Sequence, residues 1–552
     1  MAKVKKGGLK ALVLGLDGAT WEVIEPLFRD GQLPNLRRLL KRGTHGRLRS
    51  TIPNMSAPAW GAFMTGKNPG RLGVYDFYSY DPAKYSFLEP SLITSAPMVG
   101  QSLWDILGRL DYRVGVITVP VTYPPWEVNG FMISGYPCPD TRRNHTYPPE
   151  LADEIAECCN WRADTQRTAT LEELAGMGQQ MMTQRTDLAI RLFRRHPCDF
   201  LCLVLGATDM AQHYFWRYSA PGEGREGSDR AVLGDVIPSI YRQADKCLER
   251  LLEICEEDTA VIVLSDHGGG PAADRAVNTN IWLRRMGLLQ VAREKQLMTS
   301  ISQRMLRLIK SRFRHWIRIR RWLPGALRNR VRQVSFNVTS VDWTRTRAYR
   351  FPMSPPAEGL VINVAGRQPQ GIVQPGPEYE RVRSRLMEQV SQLRDEVTGE
   401  KLVSAVYRRE DLYHGEHAHR APDLIILLKE GYRGGTGLQG PLVTPYEIGQ
   451  VNGQHSLDGI FIAAGPDFKG DHRLEGAHIL DVAPTLLHAL GVPIPEDMDG
   501  RVLDDLFRDG YLQNHPVRYS RALGPSGSPE GELTAEEEET MKEKLRSLGY
   551  LS

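Results

Sequence analysis

Several classes of protein are excluded by what this chain lacks. Seven cysteines are scattered over 552 residues, Cys158 and Cys159 are adjacent, and no C-x-x-C pair occurs. So sparse and odd a set argues against a disulfide framework and fits a reducing compartment. No stretch approaches the roughly 18 uninterrupted apolar residues of a membrane span. The first apolar run, Leu12 to Leu16, is too short for a signal core and ends in Asp17 rather than a small-residue cleavage site. The expectation is a cytoplasmic protein. An excess of one charge is also missing: the net charge is +3, too small to imply nucleic acid as a general partner. With 41% apolar and 24% charged residues, the chain has the profile of a soluble globular protein. Its length points to a large α/β core carrying insertions.

What is present begins with short apolar runs lacking polar alternation, the pattern of strands buried on both faces. They are Ala11 to Leu16, Val114 to Val119, Phe200 to Leu205, Ala260 to Leu264, Leu424 to Leu428 and Gly459 to Ala464. Helical patterns such as Pro34 to Leu40 and Glu173 to Arg194 lie between them. Alternation of this kind predicts a doubly wound, mostly parallel sheet. The expected organisation is a first part of the core at 9–290, an inserted basic helical and mixed cap at 291–405, a second part of the core at 406–510, and a linker with a charged C-terminal helix at 511–552. In the insert, 293–332 holds thirteen Lys and Arg against one acidic residue, Glu294. Apolar residues there recur near helical spacing, as in an amphipathic helix. After about Asp505 the chain is expected to leave the core. Thr534 is a candidate N-cap for the terminal helix.

Ligands of doubly wound sheets sit beyond the carboxyl ends of strands, and the chemically capable residues occupy that place. Asp17 follows the first strand, Asp209 follows Leu203-Val204-Leu205-Gly206, and Asp266-His267 follow Val261 to Ser265. Asp209 and His213 have the spacing that shares one face of a helical turn, and a carboxylate with an imidazole suits zinc or another borderline divalent ion. Gly268-Gly269-Gly270 allow close backbone approach beside Asp266 and His267. Gly453-Gln454-His455 adds a further imidazole. Ser56, after Pro53-Asn54, could begin a helix whose N–H groups would face a phosphate. Each element has an ordinary reading when taken singly: Ser56 as a cap, Asp209 as a cap beside a surface His213, His455 as an exposed histidine. Taken together they supply Asp209, His213 and His455 for one ion, and Asp17, Asp266, His267 and Ser56 for a second. Two ions about 4 Å apart can clamp the attacking and leaving oxygens of an in-line phosphoryl transfer. His414, His417 and His419 near Glu416 also resemble a metal patch, but they precede a strand and read as a solvated loop.

The ordered set Gly15-Leu16-Asp17-Gly18, Ser56-x-Pro58-Ala59-Trp60, Thr65-Gly66, Asp209-x-x-x-His213, Ser265-Asp266-His267-Gly268 and Gly453-x-His455, continuing to Ile479-Leu480-Asp481, resembles the alkaline phosphatase superfamily. The branch it is most similar to is the type I phosphodiesterase/nucleotide pyrophosphatase group with its prokaryotic relatives. That resemblance implies a nucleophile nine residues before the Thr of the Thr-Gly pair and two before a Pro, which is Ser56. Thr51, in Thr51-Ile52-Pro53-Asn54, mimics the motif at the wrong distance. It also implies attack by a metal-activated alkoxide, a covalent phospho-Ser56, and two divalent ions, with zinc expected and manganese or iron as alternatives. There are departures. Leu72-Gly73 stands where many relatives have His-Gly. Phe77, preceded by Asp76, stands where nucleotide pyrophosphatases place a phosphate-contacting Asn. Trp60 stands where sulfatases need Arg, which argues against a sulfatase.

The expected activity is hydrolysis of phosphate esters, whether diester, pyrophosphate or monoester, on a phosphorylated small molecule. Two alternatives remain at this stage. One is a phosphotransferase or mutase on the same fold. The other is a membrane-associated module using the basic insert 293–332 on anionic lipid; a cap helix with a solvated basic face, or a face that steers anionic substrates, accounts for the same residues.

Overall fold

A computed structural model describes residues 8–79, 85, 91–139, 144–158, 170–219, 233–292, 341–525 and 533–547. The basic stretch 293–332 lies outside the described residues. Its centre is a nine-stranded sheet. In chain order the strands are β1 (Ala11–Leu16), β2 (Gly43–Arg49), β3 (Val114–Ile117), β4 (Gly130–Ile133), β5 (Thr146–Tyr147), β6 (Phe200–Leu205), β7 (Ala260–Leu264), β8 (Asp458–Ala464) and β9 (His472–His478). Their order across the sheet is β9-β2-β8-β7-β1-β6-β3-β4-β5. The block β7-β1-β6-β3-β4 is parallel, as the apolar runs predict.

Period-2 geometry explains why those runs carry no polar alternation. Ala11 and Val13 point into one hydrophobic core and Leu12, Leu14 and Leu16 into another, so both sides of β1 are dry. Helices Trp21–Arg29, Pro34–Arg42, Leu171–Arg195 and Val236–Leu252 cover the second core, while helices Ser56–Thr65, Leu103–Gly108 and Val482–Ala489 cover the first. Among the described residues no helix is long and apolar enough to cross a membrane.

Two strands depart from the sequence expectation. The run Gly459 to Ala464 was expected to be parallel, yet β8 runs antiparallel to both β7 and β2. The run Leu424 to Leu428 is a strand, but it belongs to a separate four-stranded antiparallel sheet with Ala348–Phe351, Ala357–Ile362 and Val403–Arg408. An unbroken apolar run reports burial on both faces and carries no information about strand direction or partner. This second sheet has its own core, covered by the helix Pro377–Ser391.

The C-terminus is a third correction, because it returns to the core. Helix Ala535–Ser547 buries Met541 and Leu545 completely. The Tyr123 hydroxyl donates to Glu537 (2.9 Å), and Lys544 Nζ donates to the Cys138 carbonyl (2.7 Å). Thr534 forms the expected cap, exchanging hydrogen bonds with Glu537. Two fully buried apolar side chains contribute roughly 1.5–3 kcal/mol each, more than the exposed Arg546–Glu539 pair at under about 1 kcal/mol. The acidic run Glu536 to Glu539 dominates the sequence here and masks this narrow stripe of spacing four.

Candidate metal centre

The three strands that precede the acidic motifs, β7, β1 and β6, are immediate neighbours with β1 in the middle. Their registers pair Leu16 with Leu205 and Gly15 with Leu264. Their carboxyl ends therefore finish level, and Asp17, Asp209 and Asp266 emerge side by side although up to 249 residues separate them in the chain (266 − 17). Asp209 and His213 lie on the first turns of helix Ala207–Ser219, with His213 Nε2 3.3 Å from Asp209 Oδ2. His455 arrives on a two-stranded ribbon: Gly453–Ser456 pairs antiparallel with Gly268–Pro271, placing His455 directly opposite Gly269. Its Nε2 lies 3.5 Å from Asp209 Oδ1 and 3.0 Å from His213 Nε2.

The second group forms around His267. Its Nε2 lies 3.3 Å from Asp266 Oδ2, 3.6 Å from Asp17 Oδ1 and 3.3 Å from Ser56 Oγ. The rings of His267 and His455 stack at 3.6 Å, so the two groups share a wall. Ligand atoms of Asp17, Asp266 and His267 fall within 4.8 Å of one another, as do those of Asp209, His267 and His455. His267 thus borders both groups, whereas the sequence reading placed it in one.

Ser56 opens the wholly buried helix Ser56–Thr65, whose N-cap is Met55 with no capping side chain. Its hydroxyl is therefore directed at His267 rather than spent as a cap. The Thr51 hydroxyl instead donates to the Pro53 carbonyl at 2.7 Å. Phe77 is fully buried and edge-on to Tyr136. Beside it, burial pushes the Asp76 carboxyl up to about 7. The loop of His414, His417 and His419 docks on residues 68–73: the His414 N–H donates to Asn68 Oδ1 and the His417 N–H to the Gly70 carbonyl.

The chemistry of this donor set fits divalent cations. All three imidazoles turn Nδ1 toward a backbone carbonyl: His455 to Asn54 (2.9 Å), His267 to Gly268 (2.9 Å) and His213 to Gly453 (3.3 Å). A carbonyl only accepts, so Nδ1 carries the proton and Nε2 presents its lone pair inward. Two such lone pairs facing at 3.0 Å repel unless a cation, or a proton taken up by His213, lies between them. Asp17 Oδ1 and Asp266 Oδ2 are buried without a hydrogen-bond partner. Leaving buried carboxylates uncompensated costs several kcal/mol each, which a shared divalent ion offsets. Without that compensation, burial and then the charges of Asp266 and Asp209 hold the Asp17 carboxyl well above its usual range. Burial likewise raises Asp266. Burial opposes ionisation of Asp209 too, yet without a bound cation Asp209 raises the proton affinity of His213, and the charge and hydrogen bond of His213 in turn hold that carboxyl low. Burial and the neighbouring His267 keep His455 neutral.

Sequence reasoning missed the residues that aim these ligands. The Trp60 indole N–H donates to Asp17 Oδ2 at 3.1 Å, and the Gly18 N–H donates to Asp266 Oδ1 at 3.2 Å. Gly15 makes room for Trp60, since a Cβ there would meet the ring at 2.5 Å. Gln212 donates to the Gly18 carbonyl at 2.7 Å and packs where a Cβ on Gly269 would stand, 2.0 Å from its Oε1. The Asn54 carbonyl orients His455. None of these has a metal-ligand side chain, so only their adjacency in the motifs could have drawn notice. Trp60→Phe keeps the ring and removes the donor. It is expected to weaken metal binding about 10- to 100-fold, measured by chelator competition, with the fold intact by circular dichroism.

A protein-family model described as type I phosphodiesterase / nucleotide pyrophosphatase matches residues 11–458. No curated protein matches the sequence. Among solved structures, an inactive variant of murine ectonucleotide pyrophosphatase / phosphodiesterase 5 in complex with AMP is 14% identical, with a TM-score of 0.46 over 91% of this chain and 100% of that one. Phosphonoacetate hydrolase from Sinorhizobium meliloti 1021 in complex with phosphonoacetate is 14% identical, with a TM-score of 0.48 over 86% of this chain and 94% of that one.

Proposed function

Because the chain belongs to the type I phosphodiesterase / nucleotide pyrophosphatase family, a family of divalent-metal-dependent hydrolases acting on phosphoric ester bonds, we propose that it cleaves them through a covalent Ser56 intermediate at a two-metal centre. The observation that carries this reading is the convergence of Ser56 Oγ on His267, within the group formed with Asp17 and Asp266 and beside Asp209, His213 and His455. Asp17, Asp266, His267 and Ser56 would hold one ion, and Asp209, His213 and His455 the other. Zinc fits the mixed carboxylate and imidazole donors, with manganese or iron as alternatives. Bound there, such ions supply Lewis-acid stabilisation of phosphoryl oxygens and lower the pKa of a hydroxyl or water.

The chain's own part is positional. The helix that Ser56 begins holds its Oγ on the His267 side of the site, and the unpaired N–H groups of that first turn favour an anion there. Ser56 Oγ forms a bond to phosphorus as the ester bond to the leaving group breaks, and the leaving oxygen departs as an alcohol or phosphate once protonated. Water then attacks the same phosphorus, the Ser56–phosphorus bond breaks, and the Ser56 hydroxyl is restored. Incubating the metal-loaded protein with a phosphodiester and quenching in acid is expected to yield a Ser56 peptide carrying the phosphoryl group, identified by mass spectrometry. Turnover with no modified Ser56 peptide under rapid quench, or modification at Thr51, would contradict the covalent route.

A further inference from the structure

The strand pair that carries His455 runs on into a three-stranded sheet of Tyr432–Gly434, Arg275–Val277 and Val443–Pro445, with Arg275–Val277 in the middle. The two connections lie side by side: the Ala272 N–H donates to the Asn452 carbonyl (3.0 Å) and the Tyr446 N–H to the Asp274 carbonyl (2.6 Å). Arg433 stands on this sheet opposite Ala276, seven residues along the chain from Gly269, the partner of His455.

Arg433 is half-buried, and its guanidinium lies over the Tyr446 ring, 4.1 Å from the centroid. Other arginines of this part of the chain hold carboxylates: Arg350 on the neighbouring four-stranded sheet pairs with Glu358, Arg367 in the loop after Ala357–Ile362 with Asp423, and Arg383 on the helix Pro377–Ser391 with Glu410. Among the described residues Arg433 has no carboxylate and no side-chain hydrogen-bond partner. The opposite face of the strand is already filled by the Arg350–Glu358 pair: a Cβ on Gly434 would meet Arg350 Nη2 at 2.5 Å and Glu358 Oε2 at 2.9 Å. Burial, and then the Arg350 charge, pull the Arg433 pKa down. The turn that follows is pinned: the Gly437 N–H donates to Asn278 Oδ1 at 2.9 Å, and a Cβ on Gly435 would meet that oxygen at 2.4 Å. A cation that is partly desolvated, set by an aromatic face and lacking a counter-ion is preorganised for an oxyanion, which the planar fork of arginine engages with two hydrogen bonds.

We propose that Arg433, set by Tyr446, is an oxyanion-binding subsite. It takes a phosphate or carboxylate carried by the substrate away from the scissile phosphorus, or the same group free in solution; the first form rests on the proposed phosphodiesterase reaction. The test compares metal-loaded wild type, Arg433→Ala and Arg433→Lys. One arm measures kcat/KM for 4-nitrophenyl thymidine 5′-phosphate with and without a 3′-phosphate. The other titrates inorganic sulfate and follows Tm. For a substrate-borne anion, the preference for the 3′-phosphorylated ester falls about tenfold or more in Arg433→Ala, and Arg433→Lys restores part of it. For a free anion, the sulfate-dependent rise in Tm is smaller in Arg433→Ala than in wild type. Equal preference and equal sulfate response in the two proteins, or a uniform loss on both esters with a lowered Tm, would overturn the subsite. Ser56→Ala, run in parallel, separates the two readings: if it stays active the proposed chemistry fails, whereas an inactive Ser56→Ala beside an unaffected Arg433→Ala removes only the subsite.

Discussion

Ser56→Ala is expected to lower phosphate-ester hydrolysis by on the order of 10³-fold or more, while the thermal transition stays close to that of the wild type and, with Asp17, Asp266 and His267 left to hold the proposed ion, most of the metal is retained. The reason is geometric. Ser56 Oγ lies 3.3 Å from His267 Nε2 and does not cap its own helix, so its removal deletes the attacking atom without exposing an unpaired helix N–H. The change is small in volume, and the helix retains the packing of Trp60, Phe63 and Met64, all fully buried. Thr51→Ala is the control, because its hydroxyl is engaged with the Pro53 carbonyl. Steady-state kinetics beside metal analysis would check the pair of variants. Full activity in Ser56→Ala together with its loss in Thr51→Ala would reverse the assignment of the nucleophile.

Asp209→Asn is expected to produce a different defect of comparable size. Asp209 is the only carboxylate within 3.5 Å of both His213 and His455 among the described residues. Replacing it by a neutral amide removes the charge that holds a cation against two facing imidazoles. The expected outcome is loss of about one of the two proposed ions by elemental analysis, with activity reduced by roughly a thousandfold. Excess metal should restore part of that activity, whereas it cannot rescue Ser56→Ala. Retention of two ions and near-normal turnover would dismantle the proposed ligand set. Acid acts on the same equilibrium. Burial already raises the proton affinity of Asp17 and Asp266, so protons compete with the cation at these ligands. Metal retention is therefore expected to fall as pH is lowered.

Much of this centre is legible in the linear sequence because ligand chemistry is local. Asp17, Asp209 and Asp266 each follow an apolar run, and a parallel sheet delivers whatever follows its strands to one edge. Helical spacing places Asp209 and His213 together without knowledge of the fold. The family resemblance, through the distance to Thr65-Gly66, points to Ser56, and the local structure separates its hydroxyl from that of Thr51 for a reason no spacing could supply, namely which hydroxyl is already bonded.

Other features are silent in sequence. The run Leu424 to Leu428 reads like the strands of the central sheet, yet it pairs elsewhere, since burial on two faces looks the same in any sheet. Trp60 reads as a departure from the sulfatase pattern, and only its 3.1 Å hydrogen bond to Asp17 shows it holding a ligand. Arg433 is one arginine among many until the Tyr446 ring under it and, among the described residues, its lack of an ion pair are seen. Residue types and their spacing alone determined the identities of the seven candidate ligands and the strand ends that carry them. The tertiary structure decided which strands are neighbours, which imidazole nitrogens face inward and which charges lack partners, because these depend on contacts between residues hundreds of positions apart, which no local pattern encodes.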